Sequence, residues 1–226
     1  MTQTESSNTS TAVRRKDHAR QLLVEYDMSG LVEWATSSRN ALRTMASLLF
    51  DNDPVIRWRA IEGIGLISGK IDQSDPDAVR RLLRRLFWLM NDESGGLCWH
   101  APEAIGEILI HAPRFIDEFA FILLSFMHEE PFEAGVRWAV MRLAKHRDKN
   151  PQLEQMLSGR RDDLLRSLTA EQPAMRAYAL MALQVMGEKI PSELREKLKN
   201  DTAVVEHYVY ETGQLRNVRI ADLAAE

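Results

Sequence analysis

The sequence predicts an all-α fold: an α-α superhelix of about four stacked helix pairs, closed at its C-terminal end by a β-hairpin. Three observations carry this. First, a phrase returns. Asp53-Pro-Val-Ile-Arg-Trp-Arg-Ala-Ile-Glu-Gly-Ile-Gly65 reappears as Ser94-Gly-Gly-Leu-Cys-Trp-His-Ala-Pro-Glu-Ala-Ile-Gly106, a shift of 41 residues from Gly65 to Gly106. Fainter copies follow at Trp138-Ala139 with Leu143 and Ala144, and at Ala177 with Met181 and Ala182. A period near 40 that preserves small and apolar positions is the signature of a helical repeat array. Second, the intervening segments carry helical periodicity, most cleanly at Val79, Leu82, Leu83, Leu86, Phe87 and Met90. Third, the tail changes period. Val204–Tyr210 and Leu215–Ile220 are β-branched and aromatic, and Gly213 sits in the turn between them, where a positive φ is needed.

Taken in order, residues 1–12 are Ser/Thr/Asn/Gln-rich and are expected to form a disordered tail. The helical repeat domain is expected over 13–200 and the hairpin cap over 201–226. Ala19, Leu22, Leu23 and Tyr26 open the helical region as a cap, followed by short helices around Leu31–Ala35 and Asn40–Phe50. Asp53-Pro54 starts the first full pair, Pro54 suiting a first helical position where no N–H is needed. That pair spans about Pro54–Ile67 and Asp77–Met90. The second spans Trp99–His111 and Arg114–Met127, split by Pro113. The third spans Phe132–His146 and Asp162–Leu168, with a long connection holding Pro151 and Gly159. The fourth spans Ala174–Met186 and Ser192–Lys199. A pair of this kind cannot bury its apolar face alone and has to stack on its neighbours.

Composition narrows the function classes. The 226 residues include 29 Lys and Arg against 33 Asp and Glu, a net charge of −4. Nucleic-acid affinity rests largely on phosphate contacts, so this balance makes a nucleic-acid partner unlikely on global charge. The single cysteine, Cys98, can form no internal disulfide and suits a reducing compartment. With no apolar leader at the N-terminus and no run of about 20 apolar residues, the expectation is a cytoplasmic protein without a membrane segment.

The residues Asp53-Pro-x-x-Arg57-x-x-Ala60-x-x-Gly63-x-Gly65 and Ala101-x-x-Ala104-x-Gly106 resemble HEAT repeats, in particular the short HEAT-like repeats related to phycobilin lyase subunits. The chain as a whole is similar to small bacterial HEAT-like proteins, a likeness that brings no activity with it. The resemblance implies that Asp53 and Arg57 link neighbouring units and that the small residues allow close helix contact. The Asp–Arg pair is lost in the second copy, where Gly95 and Cys98 stand, and only the Ala and apolar positions survive in the third and fourth. HEAT-like folds include scaffolds, lyases, DNA glycosylases and deoxyhypusine hydroxylases, so fold alone does not choose a function. The iron-binding His-Glu pairs of the hydroxylases are absent: Trp58-Arg59 and Trp99-His100 occupy those places.

Three constellations could carry function. Arg81, Arg84, Arg85 and Trp88 form a basic stripe beside the apolar stripe of their helix, with Trp99 and His100 as companions at the next helix start. Arginine and tryptophan are the usual anchors of protein interfaces; the plainer reading is a solvated face of weak ion pairs. His100, Glu103, Glu107 and His111 fall within an arc of about 80° on one helix face. They could ligate a metal, or could simply form a polar face that suits the helix dipole. Trp58 and Trp99 are equivalent by the repeat, so stacked units would set them side by side, in the core or along one surface. Gly95-Gly96 could let backbone approach an anion, but no P-loop spacing accompanies it. Cys98 reads as a small buried hydrophobe whose thiol could be activated at a helix start.

The function expected is therefore a non-catalytic scaffold or adaptor. It would bind a protein partner through one groove face using Arg81, Arg84, Arg85, Trp88, Trp99 and His100, with no cofactor. The alternatives are a metal protein or enzyme on the His100/Glu103/Glu107/His111 face and a DNA-binding protein of the alkylpurine glycosylase type.

Overall fold

The computed structural model describes residues 3–38, 40–91 and 96–225. Three helices open the chain: α1 (Gln3–Glu25), α2 (Met28–Ser37) and α3 (Ala41–Leu48). The array proper follows with α4 (Pro54–Ile71), α5 (Pro76–Met90), α6 (Ala101–His111), α7 (Ile116–Ser125), α8 (Glu133–Ala144), α9 (Pro151–Ser158), α10 (Arg161–Ser167), α11 (Pro173–Met186) and α12 (Ser192–Lys199). Strands β1 (Val204–Val209) and β2 (Gln214–Arg219) and a last helix, α13 (Ile220–Ala225), complete it. The expected helical array with a C-terminal hairpin is what forms.

Local chemistry sets the helix starts. Pro54, Pro76, Pro151 and Pro173 each occupy a first helical position. Asp53, Asp75 and Asn150 cap three of these helices by accepting from the N–H groups of Val55, Ala78 and Leu153. Arg57 reaches back to the carbonyls of Asp51 and Asn52 at 2.7 and 3.2 Å, so it secures the loop before its own helix. Arg176 treats the carbonyls of Ala170 and Glu171 in the same way, at 2.8 and 2.7 Å. The fourth unit thus keeps a Pro-x-x-Arg start that the small and apolar positions alone did not reveal.

Helices α4, α6, α8 and α11 lie side by side as a central layer, with α5, α7, α9 and α10 packed along one side of it. The small residues act where the layer is tightest. A Cβ on Gly65 would meet Glu107 Cβ at 2.9 Å, and one on Gly106 would meet Ala139 Cβ at 2.8 Å. The core runs unbroken through the layer, from Ile56 and Ile64 through Ile105 and Ile108 to Val140 and Leu183. The N-terminal helices α1, α2 and α3 pack on α4 as the cap.

Three elements differ from expectation. Helix α1 begins at Gln3, inside the segment expected to be a tail; Met1 and Thr2 lie outside the described residues. The long third connection contains α9, whose Leu153 and Leu157 are fully buried. Helix α12 packs chiefly against α13 rather than on α11, so the fourth pair is opened by the C-terminal cap.

That cap lies across the central layer on the side away from α5 and α7. The hairpin is antiparallel, Val204 opposite Arg219 and Val209 opposite Gln214, and Gly213 turns it with φ +61°. It touches α11, α8, α4 and the segment just after α1. The Tyr178 hydroxyl donates to the Glu206 carbonyl at 3.0 Å. Tyr210 packs over Trp138, and Tyr208 stacks on Trp58 with ring centres 5.8 Å apart. Gly213 lies against the ring of Tyr26, where a Cβ would come within 2.3 Å. The hairpin is a strap that joins the two ends of the array.

Candidate functional site

The strap covers a buried polar and aromatic cluster that no single stretch of sequence announced. Glu62 on α4 accepts hydrogen bonds from the hydroxyls of Tyr208 and Tyr26. The Tyr26 hydroxyl also contacts the carbonyl of Tyr210. Burial lifts the Glu62 carboxyl above its ordinary pKa, and the two tyrosine hydrogen bonds only partly oppose this. Nearby, Glu107 receives Arg142 at 2.6 and 3.3 Å, and the Arg142 guanidinium lies 3.7 Å from the centre of the Tyr210 ring. Arg59 is itself buried. It donates to the carbonyls of Gly213, Leu23 and Val24 at 2.8, 2.7 and 2.9 Å, tying the hairpin turn to the end of α1. Tyr26, Tyr208, Arg59 and Arg142 all find internal acceptors, whereas the buried Tyr210 hydroxyl and Trp138 indole N–H have none, so the cluster reads as a clasp between strap and array whose hydrogen bonding is incomplete at Tyr210 and Trp138.

The four residues considered for metal binding do not meet at a point. His100 lies 3.4 Å from Glu103, and His111 lies 3.7 Å from Glu107, as two separate pairs. Glu103 and Glu107 are buried, and Arg142 already neutralises Glu107. Among the described residues no three His, Cys, Asp or Glu side chains are grouped to hold a metal ion. Cys98 is 1% exposed, and burial pushes its thiol up to about 12, the reverse of an activated cysteine. Gly95 of the double glycine lies outside the described residues.

The tryptophans divide. Trp58 and Trp138 are core residues, with ring centres 5.1 Å apart beneath the strap. The repeat-equivalent partner of Trp58 is not its neighbour: Trp99 is 68% exposed at the start of α6. The local structure differs: Trp58 lies inside α4, whereas Trp99 precedes the first residue of α6 and is not carried on a helix face. His100 sits half-buried against Trp58 at 5.6 Å and so belongs to the covered side.

The basic stripe stands on the opposite side. Val79, Leu82, Leu83, Leu86 and Phe87 bury one face of α5 and leave Arg81, Arg84, Arg85 and Trp88 exposed on the other. Arg80 and Arg84 both reach Glu118 on α7, at 3.0 and 3.4 Å. Phe87 stacks on Phe119 of the same helix. Helices α5 and α7 therefore run alongside each other, and one turn past these ion pairs they carry exposed Trp88 and Ile122, with Phe121 beside it. Arg81 and Arg85 also form one wall of a cleft of about 680 Å³ between α3 and the start of α5. Among the described residues no helix is long and apolar enough to cross a membrane.

No family model matches the chain. It is 25% identical, over 185 residues, to an uncharacterized protein of Archaeoglobus fulgidus; the match covers 80% of this chain and 92% of that one. Among solved structures it is similar to the archaeal HEAT-like repeats protein from Thermococcus onnurineus NA1, at 15% identity and a TM-score of 0.34, over 93% of this chain and 97% of the other. The fold assignment itself rests on the stacked helices and the hairpin described above.

Proposed function

We propose that this protein is a non-catalytic repeat scaffold that docks a protein partner on the outer face of α5 and α7. One observation carries the reading. The strap closes one side of the central helix layer, while the other side presents Arg81, Arg84, Arg85 and Trp88, with Trp88 61% exposed and Phe121 62% exposed nearby. An exposed apolar patch bordered by arginines is the composition of a protein-binding face. Trp99 is exposed as well, just before α6, whereas His100 packs against Trp58 on the strap side. The buried groups argue against chemistry: Glu62, Glu107 and Arg59 are all hydrogen-bonded within the chain, and burial keeps the Cys98 thiol protonated.

The test is affinity capture from the native cell, comparing the wild type with Arg84→Glu/Trp88→Ala, followed by elemental analysis of the purified protein. A partner that recurs with the wild type and is lost by about tenfold or more with the double variant supports the reading. Equal capture by both proteins, or a stoichiometric transition metal, overturns it.

A further inference from the structure

We infer that the cleft between α3 and α5 binds an acidic segment of a protein partner, with carboxylates on its walls and an aliphatic side chain on its floor. This deepens the docking reading and rests on it. The cleft, of about 680 Å³, is bounded by the end of α2 and by α3 on one side, and by the end of α4 and the first half of α5 on the other. Its size is that of ordinary ligand sites, about 300–1,000 Å³.

Four cations line it: Arg43, Lys70, Arg81 and Arg85. One acid, Asp75, faces them, and it is already engaged as the cap of α5. Asp75 lies 3.5 Å from Arg81, a long and exposed contact worth little by itself. Among the described residues Arg43, Lys70 and Arg85 have no carboxylate partner, whereas Arg80, Arg84 and Arg114 outside the cleft each do. The concentration of unneutralised cations in one concavity is thus a local property, set in a chain whose net charge is −4.

The floor is apolar. Leu42, Ile71 and Leu82 line it together with Ala41 and Ala78, and no aromatic ring is among the lining residues. A compact phosphate would satisfy the walls but leave this floor unused. An extended acidic peptide uses both, with main chain along the cleft, carboxylates to the arginines and a leucine-sized group downward. The cleft also runs directly into the docking face, because Arg81 and Arg85 sit one turn from Arg84 and Trp88 on the same helix. An acidic segment seated here would continue onto that face, and the charge match would speed encounter and reject basic competitors.

The experiment is fluorescence anisotropy with a fluorescein-labelled peptide of repeating Glu-Glu-Leu, read on the full chain against the double variant Arg43→Glu/Lys70→Glu. These two side chains are exposed and lie outside the docking stripe, so thermal unfolding of the variant should match the wild type. The expected result is salt-sensitive binding to the wild type that weakens by about tenfold or more in the variant. Equal binding of a repeating Lys-Lys-Leu peptide overturns the proposal, as does undiminished binding by the cleft variant. Binding of inorganic pyrophosphate with no binding of the acidic peptide overturns it in favour of a small anion. Loss of peptide binding in Arg84→Glu/Trp88→Ala alone places the contact on the stripe: the cleft assignment then fails while the docking reading stands. Partner capture that survives Arg84→Glu/Trp88→Ala sinks the docking reading separately.

Discussion

Glu62 is the residue where the two ends of the chain converge, and its chemistry gives the fold a dependence on pH. Its carboxyl is held by the hydroxyls of Tyr26, just after α1, and Tyr208 of β1, and burial raises its pKa in the native state. A carboxyl whose folded pKa exceeds its unfolded value, about 4.3, binds its proton more tightly when folded. The stability this contributes is fully present below the unfolded pKa and is lost as pH rises through the folded one. Asp51 and Asp201 act in the opposite sense. Burial, the largest single influence, would raise them, but the hydrogen bonds and charges of Arg20 and Arg176 together with backbone N–H donors at Asp53 and Ala203 outweigh it and hold both below the usual range. Their stabilisation is present above the unfolded carboxylate pKa and is lost as pH falls through their folded values. Glu62→Gln keeps an acceptor for the tyrosines and removes the ionisation. In urea titrations across pH, the decline on the less acidic side should flatten in Glu62→Gln while the acid limb stays; an unchanged profile would show that Glu62 does not set it. None of this could be read locally. Glu62 stood out as a repeat position, but its partners Tyr26 and Tyr208 lie 36 and 146 residues away in sequence.

At the scale of elements, what could be read followed the strength of local periodicity. Helix α5 shows a full apolar stripe, and its buried set contains every residue the spacing specified, Val79, Leu82, Leu83, Leu86, Phe87 and Met90, with Leu89 added. Helix α9 offers only Leu153 and Leu157 to the core, so Pro151 reads as a loop marker although Asn150-Pro151 is a cap followed by a first helical residue. The hairpin could be read because its period is two and its turn carries Gly213. The same glycine supplies the clearest element-scale prediction. At φ +61° a side chain costs about 1–2 kcal/mol, and a Cβ here would also collide with the Tyr26 ring. Gly213→Val should therefore lower stability by about 2 kcal/mol or more. It should also loosen the strap before the helices, which would appear as a red shift in the fluorescence of Trp58 and Trp138 ahead of the loss of helical circular dichroism. Coincident transitions at the wild-type midpoint would mean that the turn contributes little to holding the strap.

The whole molecule departs from a plain solenoid because of that strap. In an open array each unit touches only its neighbours, and stability is a sum of local and nearest-neighbour terms, so unfolding can proceed from either end. Here Arg59 ties the hairpin turn to the last carbonyls of α1, Tyr208 and Tyr210 cover Trp58 and Trp138, and Arg176 pairs with Asp201 at the base of the strap at 2.7 Å. First and last units are thereby coupled, and fraying at one end exposes aromatic surface belonging to the other. The repeat period could be read from sequence, but this closure could not, since it depends on where the tail lands on the stack. The consequence is cooperative unfolding. Calorimetry of the wild type should give one transition whose van't Hoff and calorimetric enthalpies agree. Removing residues 201–226 uncovers Trp58 and Trp138, and the shortened array should melt at lower temperature over a broader range, with hydrogen exchange quickening in α4 and α11 at different rates. If the shortened protein still melted in one sharp step, the central helix layer alone would account for the cooperativity, and the strap would serve only to cover the side opposite the proposed docking face.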